Sequence, residues 1–454
     1  MCLPNNICEI MNDPIIKATN SAMDLMIKEF VAEQMFMGCV LISKDDKLLL
    51  KEGYGFANLE WEIPNSPRTK FQIGSITKQF TAAAILLLQE RGKLNIDDLV
   101  KKHLPDSPAS WDKVTIFHLL THTAGIRNYT DTDVLDYFTP IRNLACTPKN
   151  VMELFSSKPL EFEPGEKIAY SNSGYVVLGR IIESISGQSY AKFVDENIFK
   201  PLGMEDSGYD SHDEIMKYRA SGYDVHNGKL FNADYMDVSV VFAAGALYST
   251  VEDLLKWGKG LFGGKLLSAS SLQKMMTPYK ENFAFGLTVI PEEGRKVIRH
   301  KGKNPGFKGV LSYYPSDQMI VVVLSNNEHG SATFEIARMV AAIARGEKII
   351  LPRQRKEVEV PQEILSAYVG EYKLENGQIL EITPLAQKLM ARTKIPAEQS
   401  SPVQYDYWIS AESTCRFFSR ERAGVEIAFF RNDQDEVSHL LLHQDHQTFK
   451  AVRQ

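Results

Sequence analysis

The stretch Gly74-Ser75-Ile76-Thr77-Lys78 runs straight into Gln79-Phe80-Thr81-Ala82-Ala83-Ala84-Ile85-Leu86-Leu87-Leu88. No Gly or Pro interrupts the second part, which predicts a helix with apolar residues filling one broad face. Gly92 is its stop signal. The rest of the chain has to pack around that face. Ser75 falls at or just before the helix N-terminus, and Lys78 follows one turn later. Residues three apart share a helix face, so the two side chains are within reach of each other. A serine hydroxyl is a weak nucleophile until a base takes its proton. A lysine is such a base when burial or a neighbouring cation lowers its pKa. Free N–H groups at the helix start can stabilise an oxyanion. The competing assignment makes Ser75 an ordinary N-cap and Lys78 a solvated charge. Deciding between them needs chemistry from elsewhere in the chain.

At 454 residues the chain has room for two or three domains, each able to bury a core. A net charge of −6 gives no electrostatic case for nucleic acid or for an anionic membrane. No apolar run approaches the ~18 residues of a membrane span. The segment from Met1 to Glu9 lacks a basic region followed by an apolar one, so a cytoplasmic location is expected. Cys2, Cys8, Cys39, Cys146 and Cys415 are scattered and odd in number. They read as reduced thiols, with no disulfide framework and no metal spacing.

In chain order, Met23, Met26, Ile27, Phe30 and Val31 mark a helix from about Asn20 to Met35, capped by Asn20 or Ser21. Gly38–Ser43 and Lys47–Lys51 form a hairpin turning at Asp45-Asp46. The stretch from about 60 to 290 is rich in helix and loop signals. It includes a short helix from Val114 to His122 that ends at Gly125. His118 and His122 have a metal-ligand spacing but no recognisable third ligand, so a structural role is expected. Strand signals return at Lys308–Tyr314 and Met319–Leu324, and a helix from Ala332 to Ala344 closes the unit. Strands from both ends can pair into one antiparallel sheet, with the helical middle as an inserted lobe. A site would form in the cleft between them. From Gly346 to Pro361 the chain is charged and proline-punctuated. The expected division is a first domain over 1–346, a linker over 347–357 and an all-β module over 358–454. Leu380–Thr383, Arg416–Phe418 and Val425–Phe430 are strand candidates of that module. Its aromatic set, Tyr405, Tyr407, Trp408, Phe417 and Phe418, is expected to fill the barrel core.

Two further stretches carry chemistry. In Glu163–Tyr175 a turn-rich loop leads into a helix, and it contains Tyr170 and Asn172. A Tyr hydroxyl can relay a proton, or act as a base if a cation lowers its pKa. Asn172 offers a donor and an acceptor, suited to orienting a lysine or a substrate amide. Ahead of the Lys308 strand lies Arg299-His300-Lys301-Gly302-Lys303-Asn304. Gly302 lacks the side chain that would block close approach by a substrate backbone, which leaves the Lys303 N–H free to point into a cleft.

These three pieces, in this order, resemble the serine β-lactamase and penicillin-binding-protein superfamily, for which Ser-x-x-Lys is a signature. The nearest branch holds class C β-lactamases, D-alanyl-D-alanine carboxypeptidases, D-aminopeptidases and esterases of the same fold. Leu119–Ile126, Pro164-Gly165, Leu178-Gly179, Pro201–Met204 and Ala244–Thr250 also look like landmarks of it, over roughly residues 20 to 345. Tyr368–Tyr372 and His439–Gln444 look like the lipocalin-like barrel appended to some members. The resemblance implies an α/β (α+β) fold of β-lactamase/transpeptidase type, with an antiparallel sheet flanked by helices, followed by a lipocalin-like barrel. It implies Ser75 as nucleophile, Lys78 as general base and Tyr170 as partner in proton transfer. Asn172 would orient Lys78 and the substrate amide, and His300 would replace the lysine of the β-lactamase Lys-Thr-Gly box. Gly302 would line the substrate edge, and the N–H groups of Ser75 and Lys303 would form an oxyanion hole. Lys301 departs from the pattern, since a small or hydroxyl residue usually helps to bind a substrate carboxylate there.

The expected activity is hydrolysis of an amide or ester through an acyl-enzyme, most plainly on small or D-residue-containing peptides. A carboxylesterase, a β-lactamase and a catalytically silent binding scaffold are the alternatives. A zinc site at His439, His443 and His446 is weighed against core-lining roles, and no metal or cofactor is expected. The expected partners are a small peptide or ester substrate and, as an open option, further copies of the chain.

Overall fold

The computed structural model describes residues 14–131, 141–211, 213–226, 229–292, 294–329, 332–347, 349, 357–375, 377–385, 388–394, 406–419, 425–444 and 447–454. A 3-10 turn at Gly74–Ile76 feeds the helix Thr77–Glu90, and every residue from Thr77 to Leu88 is buried. The helix is therefore enclosed on all sides rather than on one face. Its polar side chains tolerate this because they bond across to neighbouring elements. Thr77 Oγ1 accepts from Leu247 N at 3.2 Å and Gln79 Oε1 accepts from Trp257 Nε1 at 2.8 Å. Thr81 Oγ1 lies 2.7 Å from both Ala243 O and the Tyr190 hydroxyl. Gly92 has a left-handed φ of 66°, in keeping with its role as stop signal.

Among the described residues, seven strands form one antiparallel sheet. Its order is Phe283–Ala284, Leu287–Glu292, Arg295–Asn304, Phe307–Tyr314, Met319–Ser325, Gly38–Lys44, Lys47–Tyr54. The N-terminal hairpin turns through Asp45 and Asp46, both at positive φ, and joins the C-terminal strands with Val40 opposite Val323. The sheet is buried on both faces. One face packs with the helices Pro14–Ala32 and Ala332–Ala344 through Ile27, Val321 and Ile336. The other faces the enclosed helix and the lobe through Ile298, Leu311 and Val322. Asn20 and Ser21 do not cap the first helix but lie inside it, partly exposed to solvent. Such residues sit in a helix interior at small cost when they face water. The expected helix at Val114–His122 is shorter, Ile116–Leu120, and begins at a capping box between Thr115 and His118.

Beyond residue 361 a short helix, Gln362–Tyr368, precedes eight strands that close into a barrel among the described residues. Its core is filled by side chains, with Tyr368 stacked on Phe429 at 4.1 Å and Phe417 edge-on to Phe429 at 5.5 Å. Phe417 belongs to that core as expected, Phe418 is buried but is not part of it, and Trp408 is only half-buried. Tyr405 and the Tyr407 side chain lie outside the described residues, as does His446. His439 Nδ1 lies 2.9 Å from Ser438 Oγ and His443 Nδ1 lies 2.7 Å from Thr448 Oγ1. No helix among the described residues is long and apolar enough to cross a membrane.

Candidate active site

Ser75 is placed by two backbones that touch. Gly74 has φ +49°, and a Cβ there would lie 2.5 Å from Lys303 N. A Cβ on Gly302 would lie 1.9 Å from Ile73 O. Only glycine at both positions lets the turn before the helix sit against the strand Arg295–Asn304. That strand pairs with Leu287–Glu292 only as far as Arg299, so its edge from His300 to Asn304 is open to the turn on that side. The Lys303 backbone N thus borders Gly74, next to Ser75. Asn304 Nδ2 reinforces the corner by donating to Gln72 Oε1 at 3.0 Å and to Gly245 O at 3.2 Å.

Lys78 is fully buried, and its Nζ lies 3.0 Å from Ser75 Oγ, 2.7 Å from Asn172 Oδ1 and 2.8 Å from Ala244 O. Asn172 starts the helix Asn172–Ser186, and its orientation is set by Nδ2 donating to Thr130 Oγ1 at 2.9 Å. Burial holds the lysine pKa well below its ordinary value. A neutral amine has two N–H groups and one lone pair. Asn172 Oδ1 and Ala244 O can only accept, so they take the N–H groups and leave the lone pair for the Ser75 hydroxyl.

This arrangement has a measurable linkage. With the folded pKa depressed, the unfolded chain binds a proton that the folded one lacks. Stability then rises with pH by about 1.4 kcal/mol per unit from this group, up to the unfolded lysine pKa of about 10.4. The stability difference between the wild-type protein and Lys78→Met, read by urea denaturation, is expected to follow that slope on the alkaline side of neutrality. A difference that does not change with pH would mean that the folded amine is charged.

Lys78 Nζ lies 4.9 Å from the Tyr170 ring, and the Tyr170 phenol interacts with the Ser75 side chain. Burial pushes the phenol pKa up, against the smaller opposing pull of the nearby Ser75 side chain. Because burial favours the neutral form of Lys78, the phenol lacks the cation that would make it an anionic base. It is held protonated, which suits a relay. His300 is buried, and desolvation, with the nearby Lys78 second, lowers its pKa to about 3. Its Nδ1 lies 2.6 Å from the Lys301 carbonyl, so the neutral ring donates there and keeps its Nε2 lone pair. His300 and Gly302 share the sheet face of Ile298, towards the lobe. Lys301, on the opposite face, puts Nζ 4.3 Å over the Phe334 ring of the helix Ala332–Ala344. The Lys303 side chain pairs with Glu328.

The fold thus gathers Ser75, Lys78, Tyr170, Asn172, Gly302 and the Lys303 backbone at one corner, with the His300 ring 6.4 Å from that of Tyr170. Three contributors were not assigned to the site from the sequence. Ala244 acts through its backbone carbonyl, Thr130 through a contact distant in sequence, and His122 by stacking on Tyr170 with ring centroids 4.6 Å apart. His118 does not face this corner as a ligand. Its Nδ1 accepts from Thr115 N at 3.2 Å in the helix cap.

The sequence matches the β-lactamase family over residues 23–345. Penicillin-binding protein 4* of Bacillus subtilis is 29% identical over 448 residues, 93% of this chain and 96% of that protein. The octameric penicillin-binding protein homologue from Pyrococcus abyssi superposes with a TM-score of 0.66 at 26% identity, over 94% of this chain and 98% of that one. The D-amino acid amidase from Ochrobactrum anthropi SV3 shares the fold with a TM-score of 0.65 at 22% identity, over 72% of this chain and 99% of the amidase.

Proposed function

The chain belongs to the β-lactamase family of serine hydrolases, and from that premise we propose that it cleaves an amide or ester through an acyl-enzyme on Ser75. One observation carries the reading: a buried Lys78 amine whose two acceptor partners leave its lone pair to Ser75 Oγ. In this mechanism Lys78 takes the hydroxyl proton as Ser75 Oγ attacks the substrate carbonyl carbon. The N–H groups of Ser75 and Lys303 receive the developing oxyanion. The Tyr170 hydroxyl gives its proton to the leaving group and is reprotonated from Lys78, and the C–N or C–O bond breaks. Water then attacks the ester, the same groups run in reverse, and the acid departs with Ser75 restored. Asn172 keeps one Nδ2 hydrogen for a substrate carbonyl while its Oδ1 holds Lys78.

The preferred substrates are small or D-residue-containing peptides and amides without a carboxylate beside the scissile bond. Supporting this, His300 is neutral, Lys301 lies on the far sheet face and Lys303 is paired with Glu328. A D-amino acid amidase with the same fold is consistent with it. A carboxylesterase is the second reading, because an ester needs no carboxylate cradle either. The test is a panel of D- and L-aminoacyl p-nitroanilides, p-nitrophenyl esters and nitrocefin. Fastest turnover is expected on an uncharged or D-aminoacyl substrate. Nitrocefin as the best substrate would overturn the substrate assignment, and no acylation by a fluorophosphonate would favour a silent scaffold.

We also propose that the chain divides at residue 346, with the barrel over 358–454 supplying no catalytic group and governing substrate access or assembly. The octameric homologue makes assembly the first property to measure. A chain ending at Gly346 is expected to be acylated at Ser75 at the full-length rate, with a change in light-scattering mass or in selectivity for large substrates. A folded truncation that cannot be acylated would show that the barrel completes the site.

A further inference from the structure

His122 grips the Tyr170 segment at three points. Its carbonyl accepts from Ala169 N at 3.0 Å. Its Nδ1 accepts from Ser171 N at 3.1 Å. Its ring lies on the Tyr170 ring at 4.6 Å between centroids and 31° between planes. The backbone N–H groups of the residues before and after Tyr170 are thus tied to one residue, whose side chain also backs the phenol. His122 has φ +58°, an uncommon value for a residue with a side chain. That conformation accompanies a geometry in which its carbonyl and its imidazole both reach the 169–171 segment. The residue is 3% exposed, and its ring is enclosed further by Tyr175 at 5.1 Å and by Phe283 edge-on at 5.6 Å. Because Nδ1 accepts, the ring proton sits on Nε2, and the imidazole is neutral.

We propose that His122 is a positioning residue that holds the Tyr170 hydroxyl in register with Ser75 and Lys78. The inference rests on the acyl-enzyme reading above. Proton transfer demands tight geometry, and a displacement of about 1 Å at the relay can cost about 100-fold in rate. Residues 122 and 170 meet only through the fold, so a loosened grip would move Tyr170 without touching the nucleophile or its base.

The experiment compares kcat and KM on a p-nitrophenyl ester for wild type, His122→Ala, His122→Asn, His122→Phe and Tyr170→Phe. It adds the double variant of His122→Ala with Tyr170→Phe, with melting temperatures throughout. His122→Ala is expected to lower kcat by about 100-fold with little change in KM. Asn tolerates a left-handed φ and can accept the Ser171 N–H, so His122→Asn should recover most of that loss. His122→Phe keeps a ring but no acceptor and should recover less. In the Tyr170→Phe background, His122→Ala should add little, because the hydroxyl it positions is gone. If His122→Ala does not fold, the Asn and Phe variants carry the same comparison. A full His122→Ala effect in the Tyr170→Phe background, or equal activity of the Asn and Phe variants, overturns the proposal. Wild-type protein that takes no fluorophosphonate at Ser75 overturns the acyl-enzyme reading instead, and the inference with it.

Discussion

Ser75→Ala is expected to lower turnover by about a millionfold, the scale seen when an acyl-enzyme nucleophile is removed, while the fold survives. The hydroxyl carries no structural duty that alanine would break. Neither the 3-10 turn at Gly74–Ile76 nor the helix Thr77–Glu90 has a side-chain cap at its start, so Ser75 is not an N-cap. Its Oγ bonds Lys78, and Lys78 keeps Asn172 Oδ1 and Ala244 O when the hydroxyl is lost. The stability change should therefore stay within about 1 kcal/mol. The check is steady-state hydrolysis of the best substrate alongside a thermal melt. Wild-type turnover by a well-folded Ser75→Ala variant would remove Ser75 from the chemistry.

The second large effect is non-additivity between Lys78 and Tyr170. Lys78 Nζ lies 3.0 Å from Ser75 Oγ and 4.9 Å from the Tyr170 ring, and the Tyr170 phenol interacts with the Ser75 side chain. They are one proton-transfer unit, in which either loss interrupts the path. Lys78→Met and Tyr170→Phe are each expected to remove most of kcat/KM, by several orders of magnitude. The double variant should cost little more than the worse single one. The cycle is read from kcat/KM of the four proteins on one ester. A double variant showing the full sum of the two single losses, in free-energy terms, would mean that the residues act independently.

Much of this site was legible along the chain, because its principal groups sit in short stretches with fixed spacings. Ser75, in the 3-10 turn, and Lys78, in the helix it feeds, lie three apart, a spacing that any helical reading brings together. Gly302 pointed to close approach by a substrate backbone, whereas the chain's own Ile73 O is what packs against it. The hairpin at Asp45-Asp46 and the fully apolar strand Met319–Ser325 were likewise set by local pattern, as period and turn residues decide such elements. The enclosure of the Thr77–Glu90 helix was not legible. Thr77, Gln79 and Thr81 look like solvent-facing residues, and only their partners on Leu247, Trp257 and Ala243 make burial affordable in energy.

Burial is also what set the chemistry apart from expectation at Tyr170. The residue type allowed an anionic base, but desolvation beside a neutral amine keeps the phenol protonated. Lys301 shows a different limit. Alternation along a strand puts it on the opposite face from His300, yet its resting place over Phe334 depends on where the last helix of the domain packs. The Ala244 carbonyl and the His122 grip arise from pairs far apart in sequence, and a backbone carbonyl leaves no trace in residue type.

The most direct measurement is the site of covalent attachment. Wild-type protein treated with a fluorophosphonate is examined by intact mass and by peptide mapping, in parallel with Ser75→Ala. One adduct per wild-type chain is expected, carried on the peptide that contains Ser75, and none on the variant. An adduct on Ser75→Ala at the wild-type rate, or a wild-type adduct mapped to another residue, would contradict it.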